Sequence, residues 1–443
     1  MSHPEQIAGL TQAVEDLLHE ARQQGADAAE AAVSAQTGLS VTVRLGETET
    51  IEHTSDNGLG ITVYFGHRKG SANTTDLRPA AIRESVAAAC RIARHTSEDP
   101  AAGLADPDLL AQDIPDLDLY HPWDLDADEA ADIARSCEDA ARTTDPRISN
   151  SEGATLYTQG SSFVYGNSNG FLGGYPSSRH SLSCAVIGQQ DDEMQRDYWY
   201  DSGRLRAELA EPAAIGQRAA ERTLARLGGR QLGTRECPVL FRSDVASSLM
   251  RSLFGAIRGH AIYRKSSFLL DRVGTQVFPD WVQISEDPLR PRGQASAPFD
   301  NEGVETRERD LVSDGILQGY LLDSYAARKL GLRSTGNAGG VRNARIADSG
   351  QSFEELLREM GQGLVVTELM GQGTNPVTGD YSRGAAGFWI ENGEIRYPVE
   401  EITVAGNLKE MFRQLLAVGT DNDVPGSIDT GSWLIENMTV AGD

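Results

Sequence analysis

At 443 residues, 39% of them hydrophobic, the chain is too long for one ordinary core and has enough apolar side chains to fill two or three. Its formal net charge of −25 repels nucleic acid and anionic lipid, which argues against a role in tracking phosphates or membrane surfaces. No apolar run reaches the roughly 18 residues of a membrane span, and Met1-Ser2-His3-Pro4-Glu5 has no signal-peptide character, so a cytoplasmic protein is expected.

Ser2 and Glu5 stand at capping-box spacing with Pro4 in the first turn. They open a helix whose stripe of Ile7, Leu10, Val14, Leu17 and Leu18 faces a core, and Gly25 ends it. Apolar alternation predicts strands over 39–45 and 60–65, and Ile82, Val86, Cys90 and Ala93 predict a helix over 77–94. An acidic connector over 98–126 then breaks the pattern with Pro100, Pro107, Pro115 and Pro122. Beyond it a helix is expected over 128–142, followed by strands over 155–165, 171–175, 180–188 and 194–200. A further helix over 212–227 is closed by Gly228-Gly229. Strands followed by a helix occur twice, which points to a strand–helix repeat.

From Glu236 the texture changes. A strand over 239–241 leads into a helix over 243–258. After Lys265 the chain is rich in glycine and short strands, with short helices near 323–330, 353–360 and 408–417. Phe388, Trp389 and Ile390 run into Asn392-Gly393, and 395–399 return. Asn-Gly between apolar runs is a strong hairpin signal, because a type I′ turn needs positive φ at both central positions. Gly384 and Gly387 bracket Ala385-Ala386 and are expected to supply backbone conformations closed to other residues. The architecture read from this pattern is α+β. An N-terminal α/β region, 1–235, comprises sub-units 1–97 and 127–235 around the linker 98–126. A large β-rich domain, 236–443, follows with an open, curved antiparallel sheet.

Several motifs carry no chemistry. Gly166-Asn167-Ser168-Asn169-Gly170 matches a nucleophile elbow in letters, but strand-like segments on both sides make it a turn. Gly361-Gln362-Gly363 and Gly371-Gln372-Gly373 lack the third glycine of a dinucleotide fingerprint. Cys90, Cys137, Cys184 and Cys237 each sit in an apolar periodicity and read as reduced core thiols. None of the eight histidines lies three to five residues from another, and no histidine or cysteine follows His260. A protein-bound zinc is therefore not expected in this chain.

The stretch from Met370 to Met411 closely resembles the TldD/PmbA family, in its PmbA branch. Its core reads Gly379-Asp380-Tyr381-Ser382-Arg383-Gly384-Ala385-Ala386-Gly387-Phe388-Trp389. Collinear matches at Tyr263-Arg264-Lys265-Ser266-Ser267-Phe268, Phe278-Pro279-Asp280-Trp281, Pro298-Phe299-Asp300-Asn301-Glu302-Gly303 and Ser334-Thr335-Gly336-Asn337 extend the resemblance over nearly the whole chain. In TldD-type members the helix opening the C-terminal domain carries His-Glu-x-x-x-His, and a late cysteine completes a zinc site. Here, with His260 set on the second His, Gly255 and Ala256 occupy the other positions, and Asp429-Thr430-Gly431 stands roughly where the cysteine would be.

The resemblance implies a PmbA/TldE-like component of a metalloprotease that degrades or processes unfolded peptides, microcin precursors and antitoxins among them. It implies no catalytic residue and no cofactor in this chain, with zinc held by a TldD-like partner. His260, Tyr263, Arg264, Asp380, Tyr381 and Arg383 are the candidate substrate-binding residues. An open sheet edge would let an extended peptide add as a strand. Two other readings stay open. One is a self-contained hydrolase using Ser, Thr or carboxylate chemistry, for which Asp280, Glu286, Asp300, Glu302 and Asp380 are candidates. The other is a stand-alone peptide-binding homodimer.

Overall fold

The computed structural model describes residues 3–422 and 426–442. Helix α1 (His3–Gln23) buries Leu10, Val14 and Leu17, and Gly25 follows it at φ 84°. The capping box expected from Ser2 lies outside the described residues. Strands β1 (Ala28–Arg44), β2 (Glu47–Phe65) and β3 (Arg68–Thr74) lead to helix α2 (Pro79–His95). The same order recurs as α3 (Ala127–Thr143), β4 (Ile148–Asn167), β5 (Leu172–Gln190), β6 (Glu193–Gly203) and α4 (Pro212–Ala225). The repeat read from the sequence is thus helix, three strands, helix, twice over.

The two copies share one antiparallel sheet of order β3-β2-β1-β4-β5-β6, joined at the β1–β4 seam. Odd-numbered residues of β1 serve both cores. Ala29, Ala31 and Val33 pack under α1 and α2, while Leu39, Val41 and Val43 pack under α3 and α4. The strands are longer than apolar alternation predicts. Residues 47–53 of β2 are all exposed, so no burial pattern marks them; they are strand because they pair with β1, with Glu49 bulged out of register. The letters at 166–170 form the β4–β5 turn, with Gly170 at φ 96° and Ser168 Oγ accepting the Ala29 amide.

The second half begins with β7 (Arg235–Phe241) and α5 (Ser243–Ile257), then α6 (Gly259–Tyr263), β8 (Ile284–Glu286), β9 (Arg309–Ser313) and β10 (Ile316–Leu317). It continues through α7 (Ser324–Leu330), β11 (Ala344–Ile346), α8 (Phe353–Met360), β12 (Gly363–Met370), β13 (Asp380–Glu391) and β14 (Glu394–Asn407). The end of the chain forms α9 (Leu408–Arg413), β15 (Leu415–Val418), β16 (Ile428–Asp429) and β17 (Trp433–Ala441). The helix expected over 408–417 stops early, because Leu415, Ala417 and Val418 pair with β17 instead. Asn392 and Gly393, both at positive φ, make the expected tight turn between β13 and β14.

The main sheet runs β14-β13-β12-β7-β17-β15 and is antiparallel except between β7 and β12. It is curled but not open. β14 also pairs with β17, from Thr403↔Ala441 to Ala405↔Thr439, which closes the curl and removes that edge from strand addition. Phe241, Phe278, Phe412 and Trp433 fill its interior. Neither Gly384 nor Gly387 has positive φ, contrary to the reason expected for them. Gly387 is required by a close approach: a Cβ there would lie 1.8 Å from the Val365 carbonyl oxygen.

The acidic segment between the repeats holds the two halves together. Ala101, Leu104, Leu110 and Leu119 are buried. Arg328 donates to the carbonyls of Ala101, Gly103 and Leu104, Lys329 pairs with Asp99 at 2.7 Å, and Ala111 N donates to Gly303 O. No described helix is long and apolar enough to cross a membrane.

Candidate functional site

The helix expected to run to 258 and carry on toward His260 is broken. Arg258 is extended, at φ −69° and ψ 133°, and its neighbours bond to Leu321, so His260 starts the separate helix α6. The positions that would face a metal across one helical turn therefore do not share a helix. His260 is half-buried, with Nδ1 3.3 Å from Asp323 Oδ2 and its ring beside Tyr263 and Tyr325 at 5.4 and 6.2 Å. One imidazole and one carboxylate make an incomplete ligand set. Among the described residues no group of three or more His, Cys, Asp or Glu side chains could hold a metal. The residues present do not fit the zinc of a metallopeptidase.

A cleft of about 660 Å³ lies where α4 of the first half meets the main sheet of the second. It continues into a cavity of about 270 Å³, with Asp197, Arg222, Arg226 and Thr367 lining both. Helical spacing explains the arginines. Positions 218, 222 and 226 repeat every four residues and so share one face of the α4 segment and its exit. Arg218 stacks 3.7 Å from the Trp199 ring centre. Arg222 bonds Asp244 Oδ2 at 2.8 Å and Asp197 Oδ1 at 3.3 Å, and Arg226 pairs with Glu368 at 2.5 Å. Burial opposes the Arg222 charge, but Asp244 and Asp197 outweigh it and hold the guanidinium above its ordinary pKa.

Of the residues singled out from the sequence, the structure brings together two sets. His260, Tyr263 and Arg264 lie at α6, where the Arg264 guanidinium sits 5.6 Å over the Tyr263 ring. Asp380, Tyr381 and Arg383 lie at the start of β13, in strand rather than in a turn. The two-residue period separates them. Asp380 is exposed and bonds Thr378 and Asn407, which lower its pKa. Tyr381 and Arg383 point the other way. Tyr381 is buried, and burial pushes its phenol up to about 12, so it remains a hydroxyl donor. Arg383 lines the smaller cavity. Sequence reasoning missed Arg222, Arg226, Asp244 and Ser248, although the four-residue arginine spacing was a readable signal for the first two.

Among the carboxylates of the hydrolase reading, Asp300 and Glu302 lie close enough to repel each other, but each is taken up by backbone amides. Glu286 is buried and tied to Arg309 Nε at 2.7 Å and to Asn337 Nδ2 at 3.0 and 3.1 Å. Asp300 accepts backbone amides of Glu302, Val304 and Ala338, so it shapes its own loop. Glu302 accepts the Ser324 amide at the start of α7. Asp280 and Asp380 are exposed.

Comparison with known proteins adds a third line. The chain matches the family models for PmbA/TldA metallopeptidase domain 1 over residues 29–93, the central domain over 120–227 and the C-terminal domain over 234–442. It is 55% identical over 416 residues to Metalloprotease PmbA of Escherichia coli O157:H7, covering 94% of this chain and 92% of that one. A Metalloprotease PmbA homolog of Haemophilus influenzae is 50% identical, over 98% of this chain and 96% of its own. Among solved structures, TldE from Thermococcus kodakarensis superposes with a TM-score of 0.85 at 22% identity, covering 97% of this chain and 100% of that one, a likeness of fold.

Proposed function

The chain belongs to the PmbA/TldA metallopeptidase family, and from that premise we propose that it is the PmbA-like, or TldE, component of a two-subunit metalloprotease. A TldD-like partner holds the zinc, and unfolded peptides are the substrate. The observation that carries this reading is the α5–α6 segment, where the break at Arg258 and the lone His260–Asp323 pair stand in place of a ligand set. His260, Tyr263, Arg264, Asp380, Tyr381 and Arg383 are proposed to contact peptide. The α6 set supports that through its half-buried rings, and the β13 set through Arg383 in the cleft.

The test is a peptide-cleavage assay on this chain, on a TldD-like subunit, and on the mixture, with size-exclusion chromatography alongside. This chain alone is expected to be silent and free of stoichiometric zinc after dialysis. The mixture is expected to co-elute and to cleave in a chelator-sensitive way. Chelator-insensitive cleavage by this chain alone would reinstate the self-contained hydrolase. Failure to co-elute with a TldD-like subunit would favour a peptide-binding homodimer.

A further inference from the structure

Nine buried side-chain polar atoms lack a hydrogen-bond partner among the described residues, and four of them fall in one place: Asp244 Oδ1, Ser248 Oγ, the Tyr381 hydroxyl and Arg383 Nε. Asp244, Ser248 and Arg383 line the 270 Å³ cavity, and the Tyr381 hydroxyl lies against the Arg383 guanidinium. Buried polar groups are nearly always bonded, and a charge held away from water without a counter-charge is costly. Chance scatter would not gather four such atoms at one point.

The arginines differ in a telling way. Arg222 and Arg226 are neutralised by Asp197, Asp244 and Glu368. Arg383 has no carboxylate within ion-pair distance among the described residues; it donates to the Leu369 carbonyl at 3.5 Å and otherwise faces the neutral Tyr381 hydroxyl. The missing partners also have a definite chemistry. Arg383 Nε is a donor, and the Ser248 and Tyr381 hydroxyls can donate, so together they suit an anion with two oxygens. Asp244 Oδ1 has the Arg242 guanidinium 3.6 Å away but no hydrogen bond, and as an acceptor it suits an N–H of the same ligand. A peptide's terminal residue offers both. The larger cleft beyond has an apolar wall of Phe353, Phe388, Ile395 and Pro398, which suits the side chains that follow.

We propose that this interdomain cleft is a peptide-binding site that takes a carboxylate at Arg383 and lays the adjoining residues along the apolar wall. The identity of the ligand as a peptide rests on the function proposed above; the demand for an anion does not. The site belongs to this chain alone and needs no metal.

The test measures fluorescence anisotropy of the full chain with a short Ala/Leu peptide labelled at its N-terminus, as free acid and as C-terminal amide. The amide is expected to bind about tenfold more weakly or worse, as loss of a charged hydrogen bond implies. Arg383→Gln should bring the acid down to the level of the amide while leaving amide binding unchanged. An amidated peptide that regains affinity through one internal Glu, in an Arg383-dependent way, would support the site and assign its carboxylate to an acidic side chain. Equal binding of acid and amide, or wild-type affinity in Arg383→Gln, would overturn the proposal. So would acetate stabilising the chain as well as the peptide does, which would leave only an ion site. If Arg383→Gln does not fold, Ser248→Ala carries the test through a several-fold loss against none. Carboxylate-dependent binding without cleavage in the two-subunit assay would refute the protease role and leave the site standing; the reverse result would do the opposite.

Discussion

Two partly buried arginines of this molecule, Arg309 and Arg383, are held in opposite ways. Between β8, β9 and the 337–340 loop, the Arg309 guanidinium meets Glu286 at 2.7 Å and Asn337 at 2.6 Å, and Glu286 also accepts the Arg342 amide. The Glu286, Arg309 and Asn337 side chains satisfy one another within the chain. In the cleft between α4 and the main sheet, Arg383 has no such partner, and two hydroxyls and a carboxylate oxygen beside it are also unbonded. The first arrangement is closed and serves folding. The second is open and serves something that arrives from outside.

Mutation should separate them. The largest effect is expected from Glu286→Ala, which leaves the half-buried Arg309 without its counter-charge and Asn337 and the Arg342 amide without their acceptor; a loss of ~3–5 kcal/mol in denaturant unfolding is expected. An unchanged midpoint would show that the network is ornamental. Gly387→Ala comes next, at ~2–4 kcal/mol, since its Cβ would strike the Val365 carbonyl, whereas at Gly384 a Cβ meets only Met370 at 3.3 Å and ~1 kcal/mol or less is expected. Equal melting temperatures for these two variants would contradict the packing described.

A buried acid gives an intermediate case. Burial pushes Glu302 up to about 7, with Asp300 adding repulsion and Ser324 partly offsetting both; burial likewise raises Asp300 to about 6. Folded values above the unfolded ones mean that the folded state binds the extra proton. The associated stability is complete below about pH 4 and is lost as pH rises through 6 and 7. Melting temperature should therefore rise from pH 8 to pH 6. Glu302→Gln should flatten that rise and stabilise the chain at pH 8 by ~1–2 kcal/mol. A rise that survives the substitution would place the titration elsewhere. The smallest effect is expected at the open site. Arg383→Met should leave the unliganded chain as stable or slightly more so, by ~1 kcal/mol or less, because it removes an unpaired charge and breaks no ion pair. A loss like that of Glu286→Ala would show that Arg383 is structural after all.

Much of the fold was legible because its signals are local. The Asn392-Gly393 turn and the four cysteines in apolar periodicity each depend on residues a few positions apart. Exposed residues 47–53 were not legible, since a strand held only by its neighbour leaves no burial pattern. Of the candidate site, Tyr381 and Arg383 were found through family resemblance, while Asp244 and Ser248 carry no local mark at all.

The amino-acid sequence by itself determined the α+β class, the doubled strand–helix order, the family, and the lack of a His-Glu-x-x-x-His pattern. All of these are properties of spacing along the chain. Only the tertiary structure decided that β14 meets β17 and closes the curl, that the acidic segment clasps both halves, and that Arg383 of β13 shares a cavity with Ser248 of α5 and Arg222 of α4. The last two join residues well over a hundred positions apart and the first joins strands separated by α9, β15 and β16, and no local rule reaches that far. They exist because burying the apolar faces of two sheets and their helices leaves the chain few ways to bring its polar groups together.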